Sequence, residues 1–216
     1  MSYGYLGDTS TKIKQVKKND GIITPSDVVD LQSKGHWDGS LDLITSGSSD
    51  NSAQTLEFND CLVGNHDVYL IQWKNFVPAN DENMLYFRLK NASGEITSGY
   101  QYANFYNTAA TGSGENKSTS ATYLRIMGGG GSSTGENANG HIYIYGADTS
   151  ERTAVSYSST FFDQNGTYTT IMGGGLYDTA EVSTGVMFRS ISSGGTLGNI
   201  NTLDVSIHGV KKIWVI

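Results

Sequence analysis

From Trp37 to His208 the chain is a succession of strand-length runs with turn signals between them and no helical run among them. That pattern constrains the fold more than any single motif. Leu41-Asp42-Leu43-Ile44 opens it, and Gln54-Thr55-Leu56-Glu57-Phe58 alternates clearly. Val68-Tyr69-Leu70-Ile71-Gln72-Trp73 is apolar on both faces, as a central strand is. Between Met84 and Lys90, alternation places Leu85, Phe87 and Leu89 inward, with Tyr86, Arg88 and Lys90 outward. Further runs stand around Tyr100 and Tyr102, at His141-Ile142-Tyr143-Ile144-Tyr145, between Ala154 and Phe162, between Gly185 and Ile191, and between Thr202 and His208. Pro78-Ala79-Asn80-Asp81, Asn91-Ala92-Ser93-Gly94, Asn139-Gly140, Asn165-Gly166 and Ser193-Gly194-Gly195 punctuate them. About ten short strands at close spacing predict an all-β fold, an antiparallel β-sandwich or jelly roll.

One stretch is written twice. Thr122-Tyr123-Leu124-Arg125-Ile126-Met127-Gly128-Gly129-Gly130 returns as Thr167-Tyr168-Thr169-Thr170-Ile171-Met172-Gly173-Gly174-Gly175. Each copy begins as a β-branched and aromatic run and ends on glycines that a strand interior disfavours. The expectation is two related strands, each breaking off at a glycine corner, with Ile126 and Ile171 buried inside the sandwich.

Four segments follow from this reading. Residues 1–23 form an N-terminal attachment arm, because Tyr3, Tyr5, Leu6 and Ile13 are scattered among glycines and lysines without a period. Residues 24–36 form a short helix and linker: Thr24 caps, Pro25 opens the first turn, Asp27 suits the positive helix end and Gly35 stops it. Residues 37–210 are the sandwich, and residues 211–216 are a C-terminal tail. That tail carries Trp214, Val215 and Ile216 after Lys211-Lys212, and its apolar side chains are expected to pack against another copy.

The charge balance narrows the partners. The chain carries −7, but residues 1–20 carry +2, which leaves −9 on the remainder. An acidic body argues against nucleic-acid binding. Only 16% of residues are charged, so Ser, Thr, Asn and Gly supply much of the surface. No run is long enough to span a membrane, so no insertion is expected. Nothing resembles a signal peptide at Met1-Ser2-Tyr3-Gly4-Tyr5, which predicts a protein made in a cytoplasm.

Candidate chemistry is sparse. Gly112-Ser113-Gly114-Glu115-Asn116-Lys117-Ser118 has the flavour of a phosphate loop, but Asn116 stands where glycine is required, and a strand pattern follows instead of a helix. Cys61 is the single cysteine and reads as a buried small residue. His36, His66, His141 and His208 show no metal-ligand spacing, so neither a metal nor a cofactor is expected. No pair of carboxylates stands out as a glycosidase couple. Two aromatic stripes remain. Tyr100, Tyr102 and Tyr106 form one, and His141, Tyr143 and Tyr145 form the other. Such ladders make contact surfaces for sugars or partner chains, or are covered within an oligomer.

Several of these segments also carry a likeness. Ser2-Tyr3-Gly4-Tyr5-Leu6-Gly7-Asp8 resembles the short N-terminal segment of structural proteins of marine tailed phages, those infecting cyanobacteria and pelagic bacteria. So do Ile23-Thr24-Pro25-Ser26-Asp27-Val28, and Gly35-His36-Trp37-Asp38-Gly39-Ser40-Leu41. Asn139 to Tyr145, Met172 to Gly175 and Ile207-His208-Gly209-Val210-Lys211 resemble the same group. The resemblance implies a non-enzymatic virion component, exposed as a fibre, tail appendage or capsid decoration. Its partners would be other virion proteins, two further copies of itself in a homotrimer and, through the tyrosine stripes, a host surface glycan. The alternative reading is a carbohydrate-binding module that recognises a host glycan.

Overall fold

The computed structural model describes residues 26, 27, 29, 40–51, 53–64, 66–110 and 112–210. The chain divides into two units, Met1–Ser40 and Leu41–Ile216. In the first, Ser26, Asp27 and Val29 are helical, within the segment that opens at Thr24-Pro25. Tyr3, Tyr5, Leu6, Ile13, Trp214, Val215 and Ile216, singled out above for attachment and assembly, lie outside the described residues. None of the described helical residues belongs to a helix long and apolar enough to cross a membrane.

The second unit is an antiparallel β-sandwich. Its strands are β1 (Leu41–Ser49), β2 (Thr55–Phe58), β3 (Val68–Pro78), β4 (Met84–Asn91), β5 (Gly94–Glu95), β6 (Tyr100–Thr108) and β7 (Gly112–Ala121). There follow β8 (Leu124–Arg125), β9 (Ala138–Tyr145), β10 (Arg152–Phe162), β11 (Tyr168–Ala180), β12 (Gly185–Ile191) and β13 (Ile200–Val210). Eight strands make the larger sheet, in the order β1-β13-β3-β9-β10-β11-β6-β7. The smaller sheet runs β2-β12-β4-β5, and β8 also pairs with β4.

Both sheets contribute to one core, because alternation gives each of them an apolar inner face. The larger sheet supplies Tyr69, Ile71, Trp73, Ile142, Ile144, Val155, Tyr157, Ile171 and Ile207. The smaller supplies Leu85, Phe87, Leu89, Val186 and Phe188. Large side chains need facing gaps, and glycine provides them. A methyl group on Gly140 would stand 2.5 Å from the Trp73 ring, and one on Gly114 would stand 2.4 Å from the Tyr106 hydroxyl. Cys61 is buried and unpaired, and burial pushes its thiol up to about 11. A buried protonated thiol behaves as a small apolar side chain, not a nucleophile.

On the outer side of the smaller sheet, Arg88 and Arg189 both pair with Glu95, and Lys90 pairs with Glu57. Tyr86 shares that face but is not open to solvent. Tyr123 stacks on it, with ring centroids 3.5 Å apart and an interplanar angle of 11°.

The two copies of the repeat differ from the expected pair of like strands. Ile126 and Ile171 are both buried, as alternation predicts. The glycines, however, are not corners. Gly173, Gly174 and Gly175 lie inside β11, paired across the sheet with Asn104, Ala103 and Tyr102. In the other copy only Leu124–Arg125 is strand, and Gly128 to Gly131 run on without a positive φ. There the Gly130 amide donates to the Asn83 carbonyl at 2.9 Å, and the Gly131 amide donates to the Phe162 carbonyl at 3.0 Å. The glycines serve close approach, not a turn conformation. A methyl group on Gly175 would stand 2.5 Å from Leu124 Cδ2, so one copy leaves the gap that the other fills.

Candidate functional site

The two aromatic stripes face opposite ways. On β6, Tyr100 is fully buried. Its hydroxyl donates to the Ile96 carbonyl at 3.2 Å and accepts the Leu89 amide at 2.8 Å, which ties β6 to the smaller sheet. Tyr102 and Tyr106 are half-buried and pack against the same core. The expectation that Tyr100, Tyr102 and Tyr106 form an exposed ladder is therefore corrected: the stripe lies on the inner face of the sandwich. Alternation showed correctly that they share a face, but not which face the smaller sheet covers.

The β9 stripe points outward. His141 and Tyr145 are exposed and Tyr143 is half-buried. Their rings run along the strand, with centroids 5.6 Å apart from His141 to Tyr143 and 6.4 Å from Tyr143 to Tyr145. Ile142 and Ile144, on the alternate positions, anchor the strand in the core.

Beside this ladder the outer face of the larger sheet dips into a trough of about 940 Å³. Register builds it. His141 lies opposite Gln72 on β3 and Ser158 on β10, and Gln72 lies opposite Ser206 on β13, which faces Ser46 on β1. The next outward row adds Lys74, Asp204, Asn139 and Thr160. Hydroxyls, amides, an imidazole and one charge of each sign line one open surface.

A bulge in β3 shapes one end of the trough. Asn75 takes φ +56°, a left-handed conformation that asparagine tolerates better than most residues. The register of β3 shifts there against both neighbours. Three hydrogen bonds hold the bulge. The Asn75 amide nitrogen donates to Asn139 Oδ1 at 3.1 Å, Asn75 Nδ2 donates to Asp204 Oδ2 at 2.9 Å, and the Thr202 hydroxyl donates to the Asn75 carbonyl at 2.5 Å. Bulges of this kind re-aim side chains next to binding sites. Gln72, Lys74, Asn75, Asp204 and Ser206 carry no signal in the sequence that marks them. They meet only because β3, β13 and β9 pair out of chain order.

The remaining candidates take structural positions. Gly112 to Ser118 belongs to the edge strand β7. His66 is half-buried against Tyr69, with Nε2 3.1 Å from Asp42 Oδ2. Among the described residues no group of three or more His, Cys, Asp or Glu is placed to hold a metal ion.

No protein-family model matches the chain. No curated protein matches it. Among solved structures it is similar to a peanut lectin with a nine-residue peptide. That likeness covers 78% of this chain and 100% of that one at 11% identity, with a TM-score of 0.18, which is too low to carry an argument.

Proposed function

We propose that this chain is a non-enzymatic structural protein of a tailed-phage virion, exposed on the particle as a fibre, tail appendage or capsid decoration. In this reading the outer face of the eight-stranded sheet contacts a host surface glycan. The unit that precedes the sandwich attaches it to other virion proteins, and the chain assembles as a homotrimer.

The observation that carries the glycan contact is the trough beside the His141-Tyr143-Tyr145 ladder. Sugars present hydroxyls in a plane and weakly apolar C–H faces. A shallow surface of Ser, Thr, Asn and Gln side chains next to stacked rings offers partners for both. The virion role rests on the sequence resemblance.

Immunogold labelling of intact particles with an antibody raised against the sandwich tests the reading. Label on the particle surface supports it. Purified particles that carry neither label nor peptides of this chain by mass spectrometry overturn it.

A further inference from the structure

Arg125 is the exception among the arginines of the described residues. Arg88 and Arg189 share Glu95, and Arg152 pairs with Asp178 at 2.8 Å. No described carboxylate pairs with Arg125, although it is half-buried between the layers. Its Nη1 donates to Asn116 Oδ1 at 3.1 Å, and its Nε is buried with no hydrogen-bond partner. The amide that receives it is itself committed. Asn116 Nδ2 donates to Asn104 Oδ1 at 3.1 Å, and Asn104 Nδ2 donates to the Tyr157 hydroxyl at 3.1 Å. A neutral chain of amides therefore meets a cation through Nη1 and leaves the buried Nε without a partner among the described residues. Half-buried charge held this way is costly unless an anion completes it.

The guanidinium lines a cavity of about 240 Å³. Thr108, Asn116, Gln164 and Asn165 supply hydroxyl and amide groups, and Phe161 supplies an apolar ring. Gly128 and Gly129 border the cavity without side chains, and a methyl group on Gly128 would stand 3.9 Å from Arg125 Nη2. Asp163 also borders it, but its Oδ1 already accepts the backbone amides of Asn165 and Thr167, each at 2.9 Å. The space is smaller than the roughly 300–1,000 Å³ of drug-sized sites. It suits a single sugar unit.

We propose that this cavity, between β8 and the β6–β7 edge, binds an acidic monosaccharide unit, with the sugar carboxylate on Arg125. The planar guanidinium offers paired donors at the spacing of a carboxylate's two oxygens. Gln164, whose Nε2 donates to Glu82 Oε1 at 3.0 Å, then accepts from a sugar hydroxyl through its Oε1, and Asn165 meets another. The site is separate from the outer-face trough and does not depend on the virion reading.

The test uses the full chain, labelled with nitrogen-15 and titrated with sodium glucuronate and sodium galacturonate. Glucose and inorganic phosphate serve as parallel probes. At least one uronate is expected to shift the Gly128, Gly129 and Arg125 Nε signals saturably, while glucose at the same concentration leaves them in place. Arg125→Gln is expected to weaken that binding at least tenfold. Arg125→Lys keeps the charge without the fork, so it is also expected to weaken binding, and it decides the matter if Arg125→Gln fails to fold. Val182→Ala, at an exposed position outside both sites, is expected to bind the uronate as well as the unaltered chain. The proposal is overturned if neither uronate shifts these signals, or if the lysine variant binds with unchanged affinity. Phosphate shifting the same signals at lower concentration than either uronate would also overturn it, since the cavity would then be an inorganic-anion site.

Discussion

The β6 and β9 stripes are alike in pattern: Tyr100, Tyr102 and Tyr106 share one face of β6, with Asn104 among them, and His141, Tyr143 and Tyr145 share one face of β9. In the folded protein they lie on opposite faces of one sheet. Tyr100 has no exposed surface and two hydrogen bonds to the layer beneath it. Tyr145 is 41% exposed and leans along an open face. The difference lies outside either strand. The smaller sheet lies over the inner face of β6, while the outward face of β9 has no second layer from that sheet. An aromatic ladder is therefore a binding candidate only once its covering layer is known.

The largest expected contrast is in alkali. Burial pushes the phenols of Tyr69 and Tyr157 up to about 12, and raises those of Tyr86 and Tyr100 as well. A phenol held protonated in the fold contributes stability that is whole below its unfolded value near 10. That contribution is lost as pH rises through the folded value, because the unfolded chain gives up its proton first. The sandwich is expected to hold to about pH 10 and to unfold cooperatively between about 10 and 12. Circular dichroism followed with the absorbance of ionised tyrosine checks this. Exposed tyrosines ionising first, without loss of ellipticity, would sharpen the contrast. All phenols ionising together below pH 10 would break it.

Substitution separates the stripes next. Tyr100→Ala should cost about 3–5 kcal/mol in denaturant unfolding, since it empties a packed site and frees the Leu89 amide and the Ile96 carbonyl. Gly175→Ala, also on an inner face, should cost about 2 kcal/mol by overpacking against Leu124 Cδ2 and the Gln101 carbonyl. Adding Leu124→Ala should relieve part of that, so the pair should be less destabilised than the sum of the single changes. Strict additivity would mean that the two repeat copies do not interlock. The smallest effect belongs to the outer face: Tyr145→Ala should stay within about 1 kcal/mol of the unaltered chain.

The same asymmetry decides what sequence could reveal. Alternation found the fold class and most strands, and the expected bounds of β12, Gly185 to Ile191, coincide with the strand. It missed β7, whose residues Gly112 to Ala121 include no apolar side chain larger than alanine. An edge strand whose inward positions are only half-buried needs none, and Glu115 with Lys117 gives it a charged rim. The repeat is legible as a repeat, but its glycines make room instead of the expected corners. Nothing local distinguishes a glycine that turns from one that makes room, and the room at Gly175 is for a residue 51 positions earlier, Leu124. The trough was illegible for a similar reason. Gln72, His141 and Ser206 come from strands far apart in the chain. Arg125 was hidden inside the repeat, where its match, Thr170, carries no charge.

The central functional claim is that the outer face of the eight-stranded sheet is the one that meets a glycan. Biolayer interferometry with immobilised host surface polysaccharide measures it directly, comparing the unaltered chain with one carrying Gln72→Ala, His141→Ala and Tyr143→Ala together. The account predicts saturable binding by the unaltered chain and at least a tenfold loss in the triple variant, with its melting temperature little changed. Equal binding by both, or no binding by the unaltered chain to the polysaccharide of a host the particle attaches to, would contradict it.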